Sequence, residues 1–178
     1  MSAPLNLAPH PNTPLAWLAS LEVTVAFQPD GALALAWRLQ GDLARLRVPL
    51  PGPLRHSDGL WRHTCCEAFI ATADAPAYHE FNFSPSGAWA AYRFTAYREG
   101  SANLALADPG IVCRMTANQL TLEAVIAAAA LPPGLLRLGM CAVVEDVDGG
   151  IAYFALCHPP GRPDFHHFDS FALELARP

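Results

Sequence analysis

Period-two alternation of apolar and polar residues is the feature that most limits how this chain can fold. Leu21, Val23, Val25 and Phe27 alternate with Glu22, Thr24, Ala26 and Gln28. That spacing puts one set of side chains on each face of a strand and suits no helix. Pro29-Asp30-Gly31 follows, with a proline that presets φ and a glycine that accepts positive φ. Leu33, Leu35, Trp37 and Leu39 resume the alternation, so the segment reads as a hairpin. The same reasoning predicts strands at 46–50, 61–72, 78–84, 88–97, 111–117, 120–126, 135–145, 151–158 and 168–175. Residues 49–59 read as a Pro- and Gly-rich loop, and Ser84-Pro85-Ser86-Gly87 matches a type I turn. Asn118-Gln119 and Asp148-Gly149-Gly150 close two further hairpins. Helical signals are confined to 14–18 and 127–131, each too short to be stable alone. About ten short strands predict an all-β, antiparallel β-sandwich or partly closed barrel.

Composition narrows the class. Hydrophobic residues make up 52% and charged residues 15%, which excludes disorder as the main state. The 178 residues suit one domain, 1–178. All 11 basic residues are arginine and the net charge is −5, so nucleic acid is not an expected partner. No apolar run reaches the roughly 18 residues of a membrane helix, and the opening residues lack a basic segment followed by an apolar one. No membrane association is expected, and the chain reads as cytoplasmic. The five cysteines, Cys65, Cys66, Cys113, Cys141 and Cys157, fit that compartment as buried free thiols. Their number is odd, none forms a Cys-x-x-Cys pair, and adjacent Cys65 and Cys66 face opposite sides of a strand.

Candidate chemistry gathers in the middle. Alternation puts Trp61, His63, Cys65 and Glu67 on one strand face, Tyr78, Glu80, Asn82 and Ser84 on the next, and Trp89, Ala91 and Arg93 on a third. If these strands are neighbours, that face combines flat aromatic area with planar polar groups, as a sugar site does. The plain alternative is a solvated face with an acid paired to Arg93. Carboxylates on adjacent strands also suit the roughly 5 Å spacing of a retaining glycosidase pair, Glu67 and Glu80. Near the end, His158, His166, His167 and Asp169 are candidate metal ligands, although no established spacing matches and three prolines already describe a rigid loop. Met115 or Met140 with a histidine could ligate haem iron, without an attachment motif. Asp146-Val147-Asp148-Gly149 starts like a calcium loop but lacks the closing glutamate, so a hairpin tip is the simpler account.

The run 60–70, Leu-Trp-Arg-His-Thr-Cys-Cys-Glu-Ala-Phe-Ile, followed by 78–87, Tyr-His-Glu-Phe-Asn-Phe-Ser-Pro-Ser-Gly, resembles the signature of DOMON-like domains, which are related to family 9 carbohydrate-binding modules. The closing 155–166, Ala-Leu-Cys-His-Pro-Pro-Gly-Arg-Pro-Asp-Phe-His, is similar to the bacterial stand-alone branch of that group. The resemblance implies an immunoglobulin-like or jelly-roll sandwich whose relatives bind sugars or, in some branches, haem. It maps a tryptophan and a glutamate onto Trp61 and Glu67, and a Tyr-x-Glu-Phe strand onto Tyr78, Glu80 and Phe81. The flanking motif of the stacking tryptophans is absent, so no clamp is carried over. The expected function is non-catalytic binding of a small polar ligand, a carbohydrate or sugar derivative. A haem- or metal-binding redox domain and a glycoside-cleaving enzyme are the alternatives. Exposed strand edges would suit a homodimer, with no residue pattern marking an interface.

Overall fold

The computed structural model describes residues 3–52, 55–73 and 75–177; the opening Met1 and Ser2, and positions 53 and 54 of the expected loop, lie outside them. Among the described residues the chain forms thirteen strands in chain order. They are β1 Leu5–Asn6, β2 Ala8–Pro9, β3 Leu18–Phe27, β4 Leu33–Gly41, β5 Cys65–Thr72, β6 Tyr78–Phe83, β7 Trp89–Phe94, β8 Ala102–Asn103, β9 Val112–Met115, β10 Gln119–Ile126, β11 Leu136–Glu145, β12 Ile151–Ala155 and β13 Leu173–Leu175. Five build one sheet, in the order β1-β3-β4-β10-β9. The other runs β2-β12-β11-β5-β6-β7-β8, with β13 beside β11, and every strand pair is antiparallel. The all-β sandwich is as the alternation predicts, with short edge strands added to the expected ten.

The core lies between the sheets. Val23, Leu35, Trp37 and Leu122 project from the smaller sheet, and Ala68, Ile70, Phe81, Phe83, Leu138 and Met140 from the larger. Outward residues of the smaller sheet pair across strands, as Glu22 does with Arg38 and Glu123 with Arg114. The first hairpin closes as expected, Gly31 sitting at φ 80 in its turn. No helix among the described residues is long and apolar enough to cross a membrane.

One expected strand is absent, and two others lose one end to a 3-10 turn. The segment 46–50 is not a strand: Asp42 caps a 3-10 turn at Leu43–Arg45, and Leu46 makes one bridge to Asp146. Pro49 and Pro51 lack the N–H groups that would continue pairing. At 61–64, Gly59 at φ 75 opens a 3-10 turn, Leu60–Arg62, so Trp61 and His63 are off the strand and alternation starts at Cys65. At 168–172, His167 caps the 3-10 turn Phe168–Ser170, leaving only β13 extended.

The larger sheet has a second apolar layer on its outward face. Phe69, Tyr78, Cys141 and Val143 meet Phe165 and Phe171, which arrive on the segment after β12. The segment sits close because Gly139 has no side chain: a Cβ there would lie 2.8 Å from Phe171 Cδ1. Met140 is buried in the main core and Met115 is exposed on β9.

Candidate functional site

On the outward face of the larger sheet, between its covering segments, lies a cavity of about 890 Å³. Its floor is made of alternate residues of β5, β6 and β7, where Glu67, Phe69, Glu80, Tyr92 and Phe94 all point outward. Glu80 pairs with Phe69 on one side and Tyr92 on the other, and Glu67 pairs with Asn82. The two glutamates are therefore diagonal neighbours, in the arrangement where cross-strand spacing is about 7–8 Å. Val143 and Tyr153 continue the surface, Trp61 and Arg62 rise from the 3-10 turn, and Arg162, Phe165 and His166 descend from the C-terminal segment.

The carboxyl groups are held differently. Glu80 accepts a hydrogen bond from Asn82 Nδ2 at 2.7 Å, and its other oxygen is 3.8 Å from His166 Nε2. Glu67 is 2% exposed, and its Oε1 is buried without a hydrogen-bond partner. Desolvation, followed by the nearby Glu80 charge, pushes the Glu67 carboxyl well up from its ordinary range. Burial also raises Glu80, opposed by the Asn82 hydrogen bond and the Arg98 charge. A buried acid without a partner favours its protonated form.

The walls are braced from below. Arg98 N–H donates to the Tyr78 hydroxyl at 3.1 Å, and the same hydroxyl is hydrogen-bonded to His166 Nδ1, 2.7 Å away. Burial, with the Arg98 charge, lowers the His166 pKa to about 4, so the imidazole is neutral near neutral pH. Among the described residues Arg98 is also the non-glycine residue with positive φ, 57°, and its guanidinium holds Asp164 at 2.8 Å. A left-handed backbone on a large side chain beside a cavity is strain of the kind found at functional sites. Tyr92 donates to Asp58 at 2.7 Å; burial and that carboxylate raise its pKa.

Of the residues expected from sequence, Trp61, Glu67 and Glu80 line the cavity. Asn82 and Tyr78 lie fully buried beneath it as supports. His63 does not join them, because its Nδ1 bonds Glu145 Oε2 at 2.8 Å. Trp89 and Arg93 are on the wrong face: Arg93 pairs with His79, while Trp89 packs against the main core. Paired residues share a face, so Tyr92 and Phe94 occupy the places the alternation had given to Trp89 and Arg93. The four metal candidates are not brought together as a set, although His167 Nδ1 lies 3.6 Å from Asp169 Oδ2. His158 Nε2 bonds Ala8 O, His167 caps a turn, Asp169 is exposed, and His166 alone reaches the cavity. No group of three or more His, Cys, Asp or Glu among the described residues could hold a metal ion. Asp146 is held by Trp17 Nε1 and Arg45 and caps its own turn, as a hairpin tip requires. All five cysteines are free; Cys113 is half-buried and Cys157 exposed, so buried thiols describe only Cys65, Cys66 and Cys141.

No family model and no curated relative match the chain. Among solved structures, a candidate carbohydrate-binding protein from Bacteroides uniformis is 14% identical with a TM-score of 0.69, covering 97% of this chain and 84% of its own. A family 9 carbohydrate-binding module from Caldicellulosiruptor kristjanssonii, in complex with glucose, is 13% identical with a TM-score of 0.49, covering 88% of this chain and 75% of its own. The module in complex with cellotriose gives 14% and 0.49, covering 80% and 67%. The first of these likenesses establishes a shared fold.

Proposed function

We propose that the chain is a non-catalytic binding protein whose cavity takes a small saccharide or sugar derivative. The observation that carries this reading is the cavity floor, where two buried carboxyl groups stand among outward-facing aromatic rings. Aromatic surface packs against the C–H faces of a sugar, and fixed polar groups orient its hydroxyls. A volume near 890 Å³ is ample for a monosaccharide or disaccharide. Trp61 supplies the exposed ring at the mouth, 47% accessible, with Arg62 lying over it at 5.1 Å. Glu80, oriented by Asn82, supplies an acceptor on the floor. The Bacteroides protein of the same fold, itself a candidate carbohydrate binder, agrees with this reading. So does the sequence resemblance to DOMON-like domains and family 9 modules, and the thiol content suits a cytoplasmic setting.

The test is a panel of monosaccharides and disaccharides titrated against the protein, followed by tryptophan fluorescence and calorimetry. Trp61→Ala should weaken the best ligand by about tenfold or more, the loss of one stacked ring and its buried area. Unchanged affinity in both Trp61→Ala and Glu80→Gln would reject this cavity as the site.

A further inference from the structure

The floor of the cavity carries two buried carboxyl groups that protein donors only partly match. Glu67 has no hydrogen bond to its carboxyl among the described residues, and its Oε1 is buried. Glu80 is one strand away on the same face, with one oxygen committed to Asn82. Arg62, Arg98 and Arg162 line the cavity, but among the described residues none of them makes a hydrogen bond or ion pair with Glu67 or Glu80. Arg98 holds Asp164, Arg62 lies over the Trp61 ring, and His166, whose pKa burial lowers to about 4, carries no charge near neutral pH. Phe69, Tyr92, Phe94 and Tyr153 present rings to the same space. A compact cation seated there offsets the desolvation that favours the protonated acid, takes the place of that proton, and is attracted by the negative ring faces.

Resting on the saccharide reading above, we infer that the cavity selects an aminated sugar, whose free protonated amine is seated at the floor against Glu67 and Glu80. An ammonium group donates three hydrogen bonds and can satisfy both carboxyls at once, where a hydroxyl donates one. An N-acetylated sugar lacks the charge and adds bulk, so it is excluded from the floor.

The experiment is calorimetric titration near neutral pH with glucosamine, galactosamine and mannosamine, each beside its neutral parent and its N-acetyl derivative, with putrescine as an amine lacking a sugar. The expected result is that one amino sugar binds about tenfold or more tighter than its parent, about 1.4 kcal/mol by that ratio. Glu67→Gln should reduce amino-sugar affinity several-fold more than neutral-sugar affinity, and Glu80→Gln should do the same if the first variant fails to fold. Neutral parents binding equally well or better would overturn the amine assignment and leave the saccharide reading standing. Putrescine binding with no sugar bound would overturn the saccharide reading and keep the ammonium seat. An absence of binding by every probe would overturn both.

Discussion

Replacing Glu67 by methionine should stabilise the fold while removing its floor carboxyl, and the gain should grow with pH. Glu67 is 2% exposed with one oxygen unpartnered, so the folded state carries the cost of a desolvated acid. Leaving a buried polar group unsatisfied costs about 1–3 kcal/mol, and methionine has nearly the same length without the polar atoms. At this chain size 1 kcal/mol moves the melting temperature by about 2–4 °C, so an increase of about 4–8 °C near pH 8 is expected for a gain of about 2 kcal/mol. The sign follows from proton linkage. The folded-state pKa of Glu67 lies above its unfolded value, so the folded chain binds more protons between the two. Stability associated with that proton is fully present below the unfolded pKa of about 4.3 and is lost as pH rises through the raised folded value. The variant should therefore exceed the parent most at about pH 8 and least near pH 4, as measured by urea unfolding at both ends and between. Relief of Glu80, whose charge opposes that of Glu67, acts in the same direction. A variant less stable than the parent at pH 8, or a difference independent of pH, would refute the assignment of an unpartnered, desolvated carboxyl. Stabilisation by deleting a polar site residue is the trade expected where a binding site is maintained against the fold's own preference.

Two further outcomes follow from the covering segment. Phe171 is fully buried against Phe69 and Tyr78, so Phe171→Ala should cost about 3–5 kcal/mol in denaturant unfolding and loosen the wall that carries Phe165 and His166. The His166 ring protons, followed by NMR, should titrate near pH 4, because the ring is buried and faces the Arg98 charge. A midpoint between 6 and 7 would mean that the segment does not cover the imidazole.

Much of the sandwich was legible because strand periodicity and hairpin turns are local. The alternation in 21–39 states which residues face inward, and Leu21, Val23, Leu33, Leu35 and Trp37 are all buried. On 78–83 it separates Phe81 and Phe83, in the core, from Tyr78, Glu80 and Asn82 on the outward side. The strand 89–94 shows where local reasoning stops. Its own alternation is correct, yet the choice of outward face was wrong because that depends on register. A shift of one residue exchanges every side chain between faces. The turn at 84–87 contained the answer: Ser84 N–H bonds Ala88 O, pairing Phe83 with Trp89 and so Glu80 with Tyr92.

The sequence by itself determined the all-β class and the hairpins, since each depends on neighbours a few residues apart, whereas it placed Glu67 and Glu80 on one face only on the condition that their strands are neighbours, which the pairing of β5 with β6 meets. Only the tertiary structure decided that this face is a walled cavity. Trp61 enters it from a turn opened by Gly59, while Arg98 and His166 come from segments 68 residues apart in the chain, joined through the Tyr78 hydroxyl. Contacts of that kind leave no periodic trace, because the identities of both partners and the path between them are set by packing rather than by spacing.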